Sequence, residues 1–211
     1  MTYYLIPARR GSKGLPFKNR KLFDYTASII PEDKRGATIV STDDEDIIPV
    51  AENYGFNIHN RSLSVSLDTS SPKELLSEVA KDFQMDLGDE IITLYLTYPE
   101  RSFDDVENIY RFYKDNKATT LLCKQEAKTH PYMCYYELPD NRGMRIINHD
   151  LSRRQDYPRC FFVSYFVTIM KVQYLRVVNE NLYHAQSLFY YLDHGSVDVD
   201  PQKDLDSFLK K

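Results

Sequence analysis

The sequence predicts an α/β fold in which a mostly parallel sheet is flanked by helices. Two observations lead to this prediction. As far as Lys124, short apolar or β-branched runs alternate with segments that carry helix caps, a pattern typical of parallel strands joined by helices. The chain has 211 residues, of which 42% are hydrophobic and 27% charged, so it can form one domain with a substantial core.

Four runs in this first part are predicted to be strands. The first is apolar and ends at a proline, and the others are rich in β-branched or apolar residues. These strands are Tyr3–Pro7, Ala37–Ser41, Glu90–Leu96 and Thr119–Lys124. Because parallel sheets bind ligands at the carboxyl ends of their strands, we expect chemistry in the loops after Pro7, Ser41 and Leu96.

Three helices are predicted between these strands from their capping residues. An acidic turn opens the first, since carboxylates favour the positive end of a helix dipole, and Gly55 ends it. A Ser-Pro pair opens the second as an N-cap followed by proline at the first helical position. The helices extend from the turn Thr42–Asp46 to about Tyr54, from Ser71 to about Phe83, and from Ser102 to Asp115.

The pattern changes after residue 128. Two further strands, Tyr132–Leu138 and Phe161–Met170, enclose a polar and irregular stretch at 141–158. We therefore expect one domain over 1–211, with 129–160 projecting from it as a lid or dimerisation segment. The chain closes with an apolar run at 188–192, a strand-like run up to Asp200 and a last helix that starts near Pro201.

Composition excludes several classes of protein. A net charge of −4 argues against a nucleic-acid-binding protein, and no apolar run approaches the roughly 20 residues of a membrane span. The segment Met1–Arg10 lacks the basic and apolar regions of a secretory signal. The three cysteines are odd in number and far apart in sequence. They are therefore expected to be free thiols without a chemical role, and not part of a disulfide framework or a zinc knuckle. We expect a cytoplasmic protein without membrane or nucleic-acid partners.

A basic loop after the first strand carries the strongest functional signal. Six basic residues lie between Arg9 and Lys21, and no acidic residue occurs before Asp24. Gly11 and Gly14 would let the backbone turn tightly and bring N–H groups close to an anion. The loop has neither the P-loop spacing nor the dinucleotide fingerprint. It predicts a triphosphate cradle, and the alternative is a solvated basic loop.

Near the end of the chain, Asp198 and Asp200 lie two residues apart on the strand-like segment. Alternate residues of a strand point to the same face, so the two carboxylates could hold one ion. Hard oxygen ligands suit Mg²⁺, which commonly bridges to substrate phosphates. The alternative is that Asp200 caps the last helix and Asp198 is a surface acid.

The run from Ile6 to Asn19 resembles the opening motif of the acylneuraminate cytidylyltransferases, also called CMP-sialic acid synthetases. That motif is roughly I-P-A-R-x-x-S-K-G-[LI]-x-x-K-N. Further matches follow in the family's order across almost the whole chain. They are Ser41–Asp43, Arg61 with Asp68–Ser71, Thr97–Arg101, Arg154 with Gln155 and Pro158, and Ser196–Asp200 with Asp204 and Leu205.

The resemblance implies a Rossmann-like nucleotidyltransferase core that works as a homodimer. Family members transfer CMP from CTP to an acidic nine-carbon keto-sugar and release pyrophosphate. The resemblance makes Lys18 the main stabiliser of charge on the α-phosphate, and Mg²⁺ is the expected cofactor. The expected dimer contacts lie at 129–160 and 175–187, with Tyr183 matching one of two aromatic residues offered across the contact and Leu182 standing at the other position.

The expected site residues form catalytic, nucleotide-binding, sugar-binding and metal-binding sets. The catalytic set is Lys18, Arg9 and Asp200. The nucleotide-binding set is Ala8, Arg9, Gly11, Ser12, Lys13, Asn19, Asp43, Arg61 and Ser70. The sugar-binding set is Thr97, Arg101, Arg154 and Tyr183, and the metal ligands are Asp198 and Asp200. The remaining acids of the turn, 44–46, are expected only to mark the start of a helix.

The sugar half of the family pattern is altered. Tyr95–Leu96 stands where family members have Gln-Pro, Met133 stands where a lysine often occurs, and Phe161–Tyr165 lacks an arginine and an asparagine. The segment between Asn19 and Ser41 is also shorter, which predicts a trimmed early helix. The acceptor pocket should therefore be more apolar than usual, and specificity depends on such polar groups.

Several alternatives follow from this altered half. The acceptor could be a sialic acid relative other than N-acetylneuraminate, or a keto-deoxy sugar acid such as Kdo. The protein could use UTP or GTP instead of CTP, or could be a catalytically silent nucleotide-binding relative.

Overall fold

The computed structural model describes residues 1–11, 17–67, 69–193, 196, 198–199 and 208. The strands of these residues are β1 Thr2–Pro7, β2 Thr38–Thr42, β3 Asn57–Asn60, β4 Glu90–Thr93, β5 Thr120–Glu126, β6 Tyr135–Leu138, β7 Arg142–Arg145, β8 Phe161–Lys171 and β9 Leu188–Tyr191. The helices are α1 Lys18–Ala27, α2 Glu32–Arg35, α3 Ile47–Asn53, α4 Leu63–Ser66, α5 Pro72–Asp82 and α6 Phe103–Asp115. Short 3₁₀ turns lie at Pro131–Met133, Pro139–Asn141, Arg154–Asp156 and Val172–Arg176.

Within the described part of the chain, seven strands form one sheet in the order β3-β2-β1-β4-β8-β5-β9. The four strands β3, β2, β1 and β4 are parallel, and β9 is parallel to β5. Strand β8 runs antiparallel to both of its neighbours. The prediction of an α/β fold with a mostly parallel sheet is confirmed.

Helices cover both faces of the sheet because successive side chains of each strand point to opposite sides. On one face, Ile6 and Val40 pack in the core with α1, α3 and α6. On the other face, Leu5 and Ile39 pack against α5 and the turn Val172–Arg176. Both helices predicted from serine N-caps, α5 and α6, begin with a capping box.

Some elements differ from the prediction. Strand β3 has the polar sequence Asn-Ile-His-Asn at the sheet edge and gives no apolar signal. The early helix expected to be trimmed is the ten-residue α1. Strand β6 starts only at Tyr135, and β7 lies inside the stretch predicted to be irregular. The closing strand-like run and the last helix fall largely outside the described residues.

Residues 129–160, which we call the arm, contain a hairpin separate from the main sheet. Strands β6 and β7 pair only with each other among the described strands, and all eight of their residues are exposed. At the base of the arm, Ala127 N donates to Cys160 O over 2.9 Å. No helix in the described ranges has the length and apolarity that crossing a membrane requires.

Candidate active site

A cleft opens where β1, β2, β3 and β4 end, because the carboxyl ends of parallel strands share one edge of the sheet. Its cavity has a volume of about 270 Å³. Residues from these strand ends and from α1, α4 and α5 enclose it. They are Pro7, Arg9, Lys18, Asn19, Arg61, Val65, Leu67, Ser70, Ser71, Pro72, Leu75, Tyr95, Leu96 and Thr97.

Beyond the strand ends, hydrogen bonds join the loops that follow β1 and β3 to the end of β2 at the floor of the cleft. Ala8 N donates to Ser41 O over 2.8 Å, and the Thr42 hydroxyl donates to Ala8 O over 2.6 Å. On the other side of β2, Arg61 N donates to Thr42 O over 3.1 Å. These bonds fix the backbone around Ala8 and Arg61, so the loops enter the cleft in a defined direction.

Helix α1 begins at the cleft and presents Lys18 and Asn19 to it. Phe17 precedes the helix in the left-handed conformation, with φ of 56°, and Lys18 is the first helical residue. The Lys18 side chain is buried although it lines the cavity. Asn19 Nδ2 donates to Arg9 O over 2.7 Å, which ties the helix to the end of β1. A helix N-terminus carrying a lysine favours a bound anion.

Arg61 supplies a second cation from the opposite wall. Its Nε donates to Ser41 Oγ over 3.2 Å. Burial lowers the pKa of Arg61 to about 10, with Asp43 raising the pKa and Arg9 lowering it further. A guanidinium with this pKa stays charged at neutral pH, and it offers a planar fork that matches phosphate oxygens.

The acidic turn after β2 has a structural role that the sequence did not suggest. Arg20 binds the buried Asp44 through Nε and Nη2 over 2.7 and 2.8 Å, and it also pairs with Asp46. Asp43 accepts from Arg10 N over 2.7 Å. The turn therefore holds α1 and the basic loop in place, whereas Asp46 makes no side-chain cap on α3.

The carboxyl-terminal segment returns to the edge of the cleft. The Tyr98 hydroxyl donates to Asp198 Oδ2 over 3.1 Å, and Val199 N donates to Thr97 O over 2.8 Å. These contacts bring Asp198, an expected metal ligand, beside the loop that follows β4. Sequence reasoning missed Tyr98, although it lies within the Thr97–Arg101 motif.

Tyr95 is a second cleft residue without a predicted role. It lines the cavity, and its ring packs edge-on against Tyr165 with 5.6 Å between centroids. Its hydroxyl is buried without a hydrogen-bond partner among the described residues. Burial raises the pKa of Tyr95, so it is a neutral phenol at any ordinary pH.

The structure brings many of the expected residues together at this cleft. Arg9, Lys18, Asn19, Arg61, Ser70 and Thr97 line the cavity, and Ala8 and Asp43 lie in its floor and the adjoining loop. A Cβ at Gly11 would meet no heavy atom within 4 Å, and Gly11 does not adopt a left-handed φ. The tight turn expected at Gly11 and Gly14 would involve residues 12–16, which lie outside the described residues. Ser12, Lys13 and Asp200 lie outside the described residues.

Three expected sugar-binding residues lie elsewhere. Arg101 is buried, and its guanidinium donates to Phe166 O over 2.6 Å and to Tyr95 O over 3.2 Å. These contacts make it a core residue, which corrects the expectation of a sugar contact. Arg154 is exposed on the arm and lines another cavity, of about 440 Å³. Tyr183 packs against Phe189 and does not line the cleft of its own chain.

Comparison with known proteins identifies the family. Residues 3–116, more than half of the chain, match the family model described as cytidylyltransferase. The chain belongs to the cytidylyltransferase family. The matched residues include the parallel strands β1 to β4 and the cation-lined cleft, so this cytidylyltransferase carries the family core of a nucleotidyltransferase enzyme.

Relatives of this cytidylyltransferase cover almost its whole length at modest identity. It is 25% identical over 211 residues to the post-translational flagellin modification protein B of Campylobacter coli, covering 94% of this chain and 89% of that one. It is 24% identical over 211 residues to the CMP-N,N'-diacetyllegionaminic acid synthase of Campylobacter jejuni, with the same coverage. It is 24% identical over 213 residues to the N-acylneuraminate cytidylyltransferase of Streptococcus agalactiae serotype V, covering 95% of this chain but about half, 50%, of that one.

A solved structure supports the fold assignment. The structure of CMP:2-keto-3-deoxy-manno-octonic acid synthetase complexed with CTP superposes with a TM-score of 0.67, covering 98% of this chain and 96% of that one. At 16% identity, this likeness concerns the fold alone.

Proposed function

We propose that this cytidylyltransferase transfers CMP from CTP to an acidic keto-sugar of the sialic acid type and releases pyrophosphate. One observation carries the proposal. Arg9, after β1, and Lys18, at the start of α1, meet Arg61, which follows β3, in one cleft at the carboxyl ends of the strands. The names of the streptococcal and Campylobacter jejuni relatives support the kind of sugar.

In this reaction a sugar hydroxyl attacks the α-phosphorus of CTP. A new oxygen–phosphorus bond forms as the hydroxyl gives up its proton to solvent, the bond from the α-phosphorus to the bridging oxygen breaks, and pyrophosphate leaves with that electron pair. Such transfers depend on positioning and charge neutralisation more than on covalent help. Lys18 at the start of α1 would stabilise charge on the α-phosphate, and Arg9 and Arg61 would bind the rest of the nucleotide.

We propose Mg²⁺ as the cofactor, held by Asp198 and Asp200. The carboxylate of Asp198 fits this role because it is exposed at the cleft edge and is oriented by the neutral Tyr98 hydroxyl. When bound, a divalent ion would neutralise phosphate charge. Asp198 supplies a hard oxygen ligand of the kind that Mg²⁺ prefers.

The acceptor side of the cleft is aromatic and apolar. Tyr95 and Leu96 follow the end of β4 and line the cavity, with the Tyr95 hydroxyl buried behind the lining. This lining supports an acceptor other than N-acetylneuraminate, such as a legionaminate-type sugar. Arg154 would pair with a sugar carboxylate, and Tyr183 would be offered across the dimer contact, as the resemblance to the acylneuraminate enzymes implies.

We also propose a homodimer formed through the arm. The arm exposes many large apolar side chains: Met133, Tyr135, Tyr136, Leu138, Met144, Ile146, Ile147 and Leu151. A cluster of this size on one projecting hairpin is typical of a protein–protein contact. The segment at 175–187 would extend the contact, and a cytoplasmic location would suit an enzyme that uses CTP.

The proposed function is tested by pyrophosphate release from CTP and Mg²⁺ with a panel of sugar acids. The panel holds N-acetylneuraminate, legionaminate, pseudaminate and Kdo. We expect release with one sialic-type sugar and a large loss in Asp198→Asn. The control Asp115→Asn removes an exposed carboxylate at the far end of α6 and should keep full activity.

The other outcomes separate the alternatives. Release with Kdo alone would indicate a CMP-Kdo-type synthetase. No release with any sugar of the panel, while CTP still binds, would contradict transfer to these sugars and would leave a catalytically silent nucleotide-binding relative or a sugar outside the panel.

A further inference from the structure

A cluster of possible metal ligands lies behind the cleft, between β3 and α5. His59 is on β3 and is only 2% exposed. Glu78 and Asp82 are four residues apart on α5, so they share one face of the helix. One ligand atom from each of the three residues lies within 4.8 Å of the other two.

The buried ring nitrogen of His59 points into this cluster. His59 Nε2 is 3.3 Å from Asp82 Oδ2 and 3.5 Å from Glu78 Oε1. Neither contact has hydrogen-bond geometry, and Nε2 has no hydrogen-bond partner in the described part of the chain. Two bonds of roughly 2.0–2.1 Å at a tetrahedral zinc ion place their ligand atoms about 3.3 Å apart. The two distances from Nε2 match that spacing, and the two carboxylate oxygens lie within 4.8 Å of each other.

The other ring nitrogen of His59, Nδ1, makes a hydrogen bond of the kind seen in metal-binding histidines. His59 Nδ1 lies 2.9 Å from Ser41 Oγ, which accepts a hydrogen bond from Arg61 Nε. Histidines that bind metals usually hydrogen-bond through their second nitrogen, which fixes the ring and leaves the first free to coordinate. Burial lowers the pKa of His59, although Glu78 and Asp82 raise it.

We propose that His59, Glu78 and Asp82 form a binding site for a divalent cation of the zinc class, completed by water. One imidazole and two carboxylates are typical zinc ligands, and the two carboxylates balance the charge of the ion. Glu78 also accepts hydrogen bonds from Ser62 N and Ser62 Oγ, over 3.0 and 2.6 Å. Because each carboxylate oxygen has two lone pairs, these bonds orient Glu78 and leave it able to bind the ion.

The site is separate from the proposed magnesium ligands and adjoins the nucleotide cleft. Ser41 connects His59 to Arg61 by hydrogen bonds, and Arg61 lines the cavity. An ion on Nε2 would fix Nδ1 as the protonated nitrogen, which then donates to Ser41 Oγ. Occupancy would therefore hold the Arg61 guanidinium in its present position.

The test is a zinc titration of the full chain after treatment with a chelator and without nucleotide or sugar. Zn²⁺ is titrated in competition with a chromophoric chelator, so the result does not depend on the proposed function. We expect one tight site, weakened about tenfold or more in Asp82→Asn and in Glu78→Gln, since each loses a ligand. The control Asp86→Asn removes a nearby exposed carboxylate and should leave the affinity unchanged.

A second measurement keeps the test decisive if a variant folds poorly. We expect Zn²⁺ to raise the melting temperature of the wild-type protein and of Asp86→Asn, but not of Asp82→Asn, whose half-exposed side chain can be changed at little cost. X-ray absorption of the zinc-loaded protein should show one nitrogen ligand with oxygen ligands. Equal zinc affinity in all four proteins, or sulfur ligands in the spectrum, would overturn the proposal.

Discussion

The cleft buries charged side chains, whereas the arm exposes apolar ones. Lys18 is 6% exposed at the cleft, while Tyr136 and Met144 on the arm are 56% and 52% exposed. Each arrangement is unfavourable for an isolated chain, since buried charges lose hydration and exposed apolar surface contacts water. An anionic nucleotide would stabilise the first and a second subunit the second. Under the proposed function, the cleft binds the nucleotide and the arm contacts a second subunit.

Lys18→Ala gives the largest expected loss of activity and tests whether the buried cation of the cleft serves the nucleotide. Removing a preorganised cation from a phosphate site typically lowers kcat by roughly 10²–10³-fold, because transition-state charge is left unneutralised. The readout is steady-state pyrophosphate release with the active sugar. Lys21→Ala is the matched control, since Lys21 is exposed on the same helix. Similar rates in both variants, with unchanged melting temperatures, would remove Lys18 from the catalytic set.

The double substitution Tyr136→Ser with Met144→Ser tests whether the exposed apolar surface of the arm forms the dimer contact. These two residues face each other across the hairpin and form part of its exposed apolar surface. We expect dimer dissociation to increase about tenfold or more, since well-packed interface residues commonly cost 1–2 kcal/mol each when removed. Light scattering should then show a mass near the 24.8 kDa of one chain.

The control for the arm is Glu137→Ser. Glu137 follows Tyr136 on β6 and pairs with Gly143 on β7. This substitution should leave the dimer intact. A wild-type mass of one chain would end the dimer proposal, and an intact dimer in the double variant would place the contact elsewhere.

Tyr98→Phe should have a smaller effect, about tenfold on pyrophosphate release. The substitution keeps the ring packing on Phe166 but removes the hydroxyl that binds Asp198. We expect the Mg²⁺ concentration at half-maximal rate to rise, because Asp198 loses the donor that orients it. The control Tyr113→Phe changes a core tyrosine on α6 and should leave the Mg²⁺ dependence unchanged. The same Mg²⁺ dependence in both variants would argue against a positioning role for Tyr98.

Thiol reactivity gives the smallest effect and compares the core with the arm directly. Cys123 is fully buried on β5, and burial raises its pKa to about 12, so little thiolate forms. Cys134 and Cys160 are half-buried in the arm. We expect a disulfide reagent at pH 8 to modify the two arm thiols in the native protein and Cys123 only after unfolding. Equal rates for all three thiols would show that the core opens as readily as the arm.

The cleft was largely predictable from sequence because its cations follow strand ends. Arg9 is the second residue after β1 and Arg61 is the first residue after β3, so the parallel topology brings them to one edge. Lys18 was found through its motif. The positions of such residues follow from a local sequence motif and from the alternation of strands and helices, and both can be recognised in a sequence.

The errors concern contacts between residues distant in sequence. Arg101 lies in a motif but is turned into the core by Phe166 O, 65 residues away. Likewise, Tyr98 and Asp198 are 100 residues apart, and no local pattern joins them. Strand β3 forms because the neighbouring strand β2 supplies its hydrogen bonds, although its own sequence is polar. Tertiary context decided each of these cases.

The proposed reaction is the transfer of CMP from CTP at the cation-lined cleft. The most direct test incubates the enzyme with equal concentrations of CTP, UTP, GTP and ATP, Mg²⁺ and the active sugar acid, and identifies nucleotide–sugar products by mass. We expect the CMP-sugar as the dominant product, with one pyrophosphate released for each molecule formed. A product carrying another nucleotide, or no product while the sugar and CTP are both bound, would contradict the proposed reaction.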